Sequence, residues 1–233
     1  MVIVLAVWMA SCVCVASAQP VSRDAALIVA AEAGDAEKVR ALLAERASVG
    51  ARDSQGRTAL LAATQGNHIE SARLLIEAGA DVNAQDRIQD SAFLLAGASG
   101  YLEIVRLSLA AGADLKSTNR YGGTALIPAA HHGHVETVRE LLKTAIDVNH
   151  VNNLGWTALL EAVILGDGGP RHIEIVRLLL AGGANPNIAD RQGATALAHA
   201  QSRGFAEISA LLVAAGASSS RSTMNDSDRI NRP

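Results

Sequence analysis

The stretch GTALIPAAHHGHVETVRELLKTAIDVNHVNNLG, residues 123–155, decides the fold because its pattern recurs along the chain. A threonine or serine marks the start of the pattern in each copy. A fixed period near 33 residues is typical of helical repeat arrays, so the sequence predicts a solenoid in which each unit packs on its neighbours. The marker positions are Thr58, Ser91, Thr124, Thr157 and Thr195, separated by 33, 33, 33 and 38 residues.

Two further positions recur in the first helix of each unit, which we call helix A. Two residues after the marker stands leucine or phenylalanine, and five residues after it stands alanine. In the first unit the count starts from Ala25. An alanine in every copy indicates that a neighbouring helix comes too close for a larger side chain. The two sets are Leu27, Leu60, Phe93, Leu126, Leu159 and Leu197, and Ala30, Ala63, Ala96, Ala129, Ala162 and Ala200.

Glycines divide each unit into its elements. A glycine about nine residues after the marker is expected to end helix A in the left-handed conformation, and a second glycine closes the following helix B. Asx and glycine residues then predict a turn, which we call the finger. The helix A glycines are Gly34, Gly66, Gly100, Gly133, Gly166 and Gly204, and the predicted units are 24–56, 57–89, 90–122, 123–155, 156–193 and 194–217.

With these residues in register, the units resemble ankyrin repeats over 24–217. The resemblance implies an all-α fold with short β-hairpin fingers, a solenoid of about six helix-turn-helix units. It also implies a concave surface formed by fingers and helix A. The chain departs from the family where Thr-Pro-Leu-His becomes Thr-Ala-Leu-Leu or similar. We expect apolar packing to replace the hydrogen bonds of that histidine. Alanine-rich units behind a signal sequence resemble the small exported ankyrin-repeat proteins of bacteria.

Residues 1–18 are interpreted as a secretory signal peptide. Their apolar run ends in Ala16-Ser17-Ala18, the small-x-small pattern cut by signal peptidase, although no Lys or Arg precedes it. A membrane anchor is less favoured because the run is shorter than the ~20 residues that span a bilayer. A lipoprotein site at Cys12 matches poorly. Cleavage after Ala18 would leave a periplasmic or secreted chain without cysteine. Residues 19–23 form a polar lead, and we expect Asp24 to cap the first helix.

The ends and irregularities of the array lead to further expectations. The tail, residues 218–233, has few apolar residues and is expected to be disordered. Arg46 and Ala145 replace closing glycines, so each must adopt a left-handed backbone or end its helix differently. Ser108 stands where other units place leucine, and its hydroxyl is expected to bond to the Ile104 carbonyl. The insertion 167–171 is interpreted as a tolerated loop.

Composition and motifs argue against several functional classes. The formal net charge of −3 disfavours general binding to nucleic acid, and no membrane insertion of the mature chain is expected. The sequence has no phosphate-binding loop, no His-Glu-x-x-His and no Gly-x-Ser-x-Gly motif. We therefore expect a non-enzymatic monomer without a cofactor. The function expected is that of an exported protein-protein interaction module that binds a partner protein and scaffolds or protects an exported enzyme.

The contact residues are expected at variable finger and helix A positions, as the family resemblance implies. Trp156 is the only tryptophan after residue 18, and Trp, Tyr and Arg dominate binding hot spots. The alternative is that Trp156 packs against the neighbouring finger. The expected partner-binding residues are Arg57, Arg87, Ile88, Asp90, Arg120, Tyr121, His131, His132, Leu154, Trp156, Glu161 and Arg191.

The histidines of the fourth unit leave one other function open. His131 and His132 face the expected groove, so a metal-binding or small-ligand-binding protein is the alternative to a protein-binding module. A metal site needs three or four converging ligands, and only these two are apparent. A small ligand would gain little enclosure from an open face. His134, like His68 and His172, is expected to hold the turn between the two helices.

Overall fold

The computed structural model describes residues 22–218, which form twelve helices in six antiparallel pairs. The predicted all-α solenoid is confirmed. Odd-numbered helices are helix A and even-numbered helices are helix B of successive units. The bounds are α1 Arg23–Glu32, α2 Ala36–Ala44, α3 Ala59–Gln65, α4 Ile69–Glu77, α5 Ala92–Ser99, α6 Leu102–Ala110, α7 Leu126–His131, α8 Val135–Leu141, α9 Ala158–Ile164, α10 Pro170–Ala181, α11 Ala196–Ser202 and α12 Ala206–Ala214.

Most helix A elements begin at the marker residue because its hydroxyl caps the helix. In α3, for example, the Thr58 hydroxyl accepts a hydrogen bond from the Leu61 N–H at 3.2 Å. Such a cap satisfies one of the free N–H groups of the first turn and contributes about 1 kcal/mol. The first helix departs from our expectation, since Ser22 and not Asp24 caps it. The Asp24 carboxylate instead accepts from the Ser48 N–H at 2.8 Å.

The fourth unit loses this cap because of Pro128. In other units the residue four after the marker donates its N–H to the marker carbonyl, as Ala62 does to Thr58 at 3.0 Å. Proline has no N–H and its ring crowds that carbonyl. Helix α7 therefore begins at Leu126, one residue later in register than α3, and the buried Thr124 hydroxyl has no hydrogen-bond partner. This unit has the shortest helix A among the described residues.

The core is a row of fully buried helix A side chains with helix B packed behind it. All six recurring alanines and all six recurring leucine or phenylalanine positions are buried. Each helix A contacts the next helix A, from α1 and α3 through to α9 and α11, and each helix B contacts the next helix B. The stability of such an array comes from units and their nearest-neighbour interfaces.

Ser108 is a buried defect in the helix B row. Its hydroxyl is fully buried and has no hydrogen-bond partner, so the expected bond to Ile104 is wrong. A buried hydroxyl without a partner costs about 1–3 kcal/mol. The third unit thus carries a local cost where other units place an apolar side chain.

Left-handed residues end most helix A elements, but not always at the expected glycine. Gly34, Gly100, Gly133 and Gly204 have φ between 70° and 76°. In the second unit the left-handed residue is Asn67, and in the fifth it is Gly168 inside the insertion. At the end of helix B, Arg46 adopts φ 63°. Ala145 does not, because α8 ends earlier and the Thr144 hydroxyl donates to the Leu141 carbonyl at 2.6 Å.

The fingers are Asx-closed turns. No sheet forms within residues 22–218, so the expected β-hairpins are reduced to one backbone pair per finger. In the fourth finger the Asn152 N–H donates to the Trp156 carbonyl at 3.0 Å. The Asn152 side-chain oxygen also accepts from the N–H groups of Leu154 and Trp156. Asp53, Asp86, Asn119 and Asp190 close the other fingers in the same way.

The predicted signal peptide, residues 1–18, most of the polar lead and nearly all of the tail lie outside the described residues. Among residues 22–218, no helix combines the length and the apolar character needed to cross a membrane.

Candidate functional site

A pocket of about 400 Å³ opens on the finger side of the third, fourth and fifth units. We call the surface formed by the fingers and the odd-numbered helices the finger face. Helices α5, α7 and α9 supply the floor and walls of this pocket, and the fingers that begin at Asn119 and Asn152 supply its rim. Its apolar lining includes Leu95, Ile127 and Leu165. The pocket thus combines an apolar wall with the polar groups described next.

Glu161 is the buried carboxyl of the pocket. It lies on α9, is only 6% exposed, and its Oε1 accepts a hydrogen bond from the Asn152 side-chain amide at 2.8 Å. Its Oε2 lies 3.7 Å from His131 Nδ1, beyond hydrogen-bond length. Burial raises the pKa of Glu161 from 4.5 to about 7, although the Asn152 bond favours the ionised form. At neutral pH this carboxyl is therefore close to half ionised.

Two stacked histidines form one side of the pocket. The rings of His131 and His132 lie 4.2 Å apart and nearly parallel. Burial lowers the pKa of His131, and the neighbouring His132 and His172 lower it further. A neutral His131 ring beside Glu161 gives no full ion pair at pH 7, although the two side chains are neighbours.

The rim carries one cation between carboxylates and an aromatic ring. The Arg120 guanidinium lies 4.8 Å from the centre of the Tyr121 ring and 3.7 Å from the Asp90 carboxylate. Burial raises the pKa of Asp90, nearby Asp86 raises it further, and Arg120 opposes both effects. The positive charge of Arg120 is therefore already engaged at the rim.

Three apolar side chains form a row along the fingertips. Ile88, Tyr121 and Leu154 are 33 residues apart in sequence and are 50%, 54% and 48% exposed. Hydrogen bonds join these neighbouring fingers: the Gln85 side-chain amide donates to the Thr118 carbonyl at 2.8 Å, and the Asn153 N–H donates to the Tyr121 carbonyl at 2.9 Å. The row is thus presented by turns that are tied together, which reduces the ordering cost of binding.

The structure brings many of the predicted contact residues into this pocket. They come from three fingers and two helices, α7 and α9, and they share one opening on the finger face. Within the described residues they are Asp90, Arg120, Tyr121, His131, His132, Leu154 and Glu161.

The other predicted contact residues lie elsewhere. Arg57 belongs to a separate pocket at the first unit, where Asp53 and Glu32 hold its guanidinium at 2.7 and 3.0 Å. Trp156 is half-buried and packs against the hydrophobic core. Arg87, Ile88 and Arg191 lie at fingertips outside the pocket.

Sequence reasoning missed the partner of Glu161. Asn152 was assigned only a turn role, yet it also holds the Glu161 carboxyl. The sequence contained a signal, since His199 follows Asp190 by the same nine residues that separate Glu161 from Asn152. In the structure, His199 Nε2 lies 2.7 Å from the Asp190 carboxylate. In both cases the fourth residue of helix A forms a hydrogen bond with the Asx residue in the finger of the preceding unit.

The histidines outside the pocket connect successive units. His68 Nε2 lies 3.0 Å from the Glu32 carbonyl and His172 Nε2 lies 2.9 Å from the His131 carbonyl. A hydrogen bond also joins His134 to the backbone of Ala98, in the preceding unit. Across the part of the chain that the structure describes, no three His, Cys, Asp or Glu side chains converge as a metal site would require.

Comparison with known proteins identifies the family of the chain. The family model described as "Ankyrin repeats (3 copies)" matches residues 8–86 and 93–190. The chain belongs to the ankyrin-repeat family. A protein of Escherichia coli (strain K12) that carries the name ankyrin repeat protein YahD is 53% identical over 57 residues, which is 24% of this chain and 28% of that protein. The chain thus matches well under half the length of this curated relative.

Solved ankyrin-repeat structures match most of the chain. An ankyrin repeat domain from Acinetobacter baumannii AYE is 59% identical with a TM-score of 0.80, covering 82% of this chain and 98% of that one. The ankyrin repeat protein EF0377 is 42% identical with a TM-score of 0.79, covering 82% and 97%. The ankyrin repeat domain of Bcl-3, an IkappaB family member, is 29% identical with a TM-score of 0.73, covering 83% and 86%. Ankyrin repeats suggest a protein-protein interaction module.

Proposed function

We propose that this ankyrin-repeat chain is an exported interaction module that binds a partner protein through the finger face, as a scaffold or protector of an exported enzyme. The observation that carries the proposal is the row Ile88, Tyr121 and Leu154 beside the pocket. Exposed apolar side chains grouped on one face mark interaction sites more often than isolated ones do.

The energetics of the finger face fit protein binding. Tyr121 and Arg120 are residue types that dominate binding hot spots, and their neighbours Leu154 and Leu165 supply further exposed apolar area. The outer face of helix B is different, since residues such as Arg73 and Glu103 are exposed and charged. The apolar contacts that a partner needs are therefore concentrated on the finger face.

Site-specific photocrosslinking in the host cell tests the use of this face. A photoreactive phenylalanine analogue at Ile88 or Leu154 is expected to crosslink the chain to a protein partner. The same analogue at Arg73 or Glu103, on exposed helix B positions, is the matched control. Equal crosslinking from both faces, or from helix B alone, would contradict binding through the finger face.

Export is the second part of the proposal and rests on the pattern ending at Ala18. The protein recovered from the periplasm or medium is expected to begin at Gln19 when its amino terminus is sequenced. The family match that starts at residue 8 overlaps the predicted leader, which makes this measurement decisive. A chain that is found only in the cytoplasm and begins at Met1 would remove export from the proposal.

A further inference from the structure

We propose that the pocket is an anchor site for one arginine side chain of the partner, whose guanidinium meets the Glu161 carboxylate while its stem lies along the apolar walls. This inference rests on the proposed interaction function and names the chemistry that one part of the finger face recognises. It assigns to Glu161 a role that its bond to Asn152 alone does not require.

The geometry leaves one carboxylate oxygen available for a ligand. Oε1 of Glu161 accepts from Asn152 at 2.8 Å, whereas Oε2 has no hydrogen-bond donor within the described residues. A carboxylate has about four lone-pair sites and binds the planar guanidinium group especially well. Glu161 is one of the residues that line the pocket, which is large enough for a side chain.

The walls fit the rest of an arginine side chain. Leu95, Ile127 and Leu165 offer apolar surface to its methylene groups, which prefer such contacts while the charged end seeks a polar partner. The flat guanidinium also stacks on planar rings, and His131 and His132 present two stacked rings in the same pocket. Lysine has a similar apolar stem, but its compact ammonium group neither stacks on the rings nor forms the bidentate pair.

Local charge favours a cation over an anion. Two carboxyls, Asp90 and Glu161, line the pocket, and one cation, Arg120, is already drawn to Asp90 and to the Tyr121 ring. A ligand carboxylate would meet Glu161 without a free positive partner. A guanidinium would instead neutralise a carboxyl whose pKa is raised by burial.

The groups around Glu161 define its pH dependence. His131 on α7 is its neighbour, and the pKa of His131 is lowered by burial and by His132 and His172. From α10, His172 is bound to Asp167 and to the His131 carbonyl. From α11, His199 is bound to Asp190. Between pH 6 and 8, ionisation of Glu161 favours an entering cation.

The probe that tests the site is N-acetyl-arginine amide, titrated into the full chain and followed by NMR. N-acetyl-citrulline amide, which has nearly the same shape without the charge, is the matched ligand. N-acetyl-arginine amide is expected to shift the resonances of Glu161, Leu154 and the pocket histidines. It is also expected to bind about tenfold more tightly at pH 8 than at pH 6. Citrulline amide is expected to bind at least several-fold more weakly.

Two variants separate the site from general effects. Glu161→Gln keeps an oxygen for the Asn152 bond and is expected to lose most arginine binding. Glu77→Gln, an exposed change on α4, is expected to leave it unchanged. Equal binding of citrulline amide, equal binding by Glu161→Gln, or no shift at the pocket would overturn the inference. Crosslinking from Ile88 and Leu154 to a protein could still succeed in that case, because the crosslinking experiment tests the interaction function and the titration tests only the arginine site.

Discussion

The Glu161→Gln chain is expected to be more stable than wild type by about 3 kcal/mol at pH 8 and to show no such advantage at pH 4. The reason is the pKa of Glu161, which burial raises from 4.5 in the unfolded chain to about 7 in the fold. Each pKa unit corresponds to about 1.4 kcal/mol. Glutamine keeps the hydrogen bond from Asn152 and has no proton to lose.

The direction of the effect follows from proton binding. Between pH 4.5 and about 7 the folded chain holds a proton on Glu161 that the unfolded chain has released. The stabilising contribution of Glu161 to the free energy of unfolding is therefore complete below pH 4.5. It falls as the pH rises and is fully lost above about pH 7. His131 has the opposite slope, because its lowered pKa makes the folded chain less stable as the pH falls below 6.5.

Denaturant unfolding of both chains at pH 4, 6 and 8 measures the difference. Comparing the variant with wild type at each pH cancels His131 and every other group that the two chains share. Glu77→Gln is the control and is expected to follow the wild-type profile. A Glu161→Gln advantage that is the same at all three pH values would show that burial does not raise the pKa of Glu161.

The stability cost of Glu161 bears on function. A carboxyl buried without a full counter-charge destabilises the free chain at neutral pH. A guanidinium entering the pocket would remove that cost in the bound state. Part of the binding free energy then comes from removing the cost of the ionised, buried Glu161 carboxylate in the free protein.

Internal repetition made the fold predictable from sequence. Positions repeated for packing, such as Ala96 and Ala129, have the same role in each unit, and marker hydroxyls such as Thr58 have the same role in most units, so one copy explains much of the others. Prediction failed where a unit differs locally. Pro128 lacks an N–H, so α7 begins one residue later in register than α3, α5, α9 and α11, and the positions shared by all units give no sign of this effect.

The candidate site was predicted only in part for the same reason. Family resemblance located finger and helix A positions, so residues such as Tyr121 and His131 were found. It did not show that Glu161 is buried and bound to Asn152, because the fourth position of helix A differs from unit to unit. Nor did it separate Trp156, which packs on the core, from neighbours that line the pocket. Side-chain burial depends on neighbouring units and is not a property of one position.

Gly166→Ala is expected to destabilise the chain by about 3 kcal/mol, although Gly166 does not have a positive φ. A Cβ at this position would lie 2.2 Å from the Ala162 carbonyl oxygen and 2.6 Å from the His172 ring. The His172 ring cannot easily move, because Asp167 and the His131 carbonyl hold its two nitrogens at 2.7 and 2.9 Å. Backbone on one side and a fixed ring on the other leave no room for a methyl group.

Gly204→Ala is the matched control for this prediction. Gly204 ends helix A of the last unit with φ 70°, and no atom lies within 4 Å of its added Cβ. Its replacement should cost only the backbone strain of about 1 kcal/mol.

Denaturant unfolding compares the two variants, and NMR of the histidines shows whether displacement of His172 reaches His131 in the pocket. If Gly204→Ala proves as destabilising as Gly166→Ala, backbone conformation and not close contact determines the cost. A larger loss for Gly166→Ala, with shifted His131 resonances, would tie the insertion at 167–171 to the geometry of the pocket.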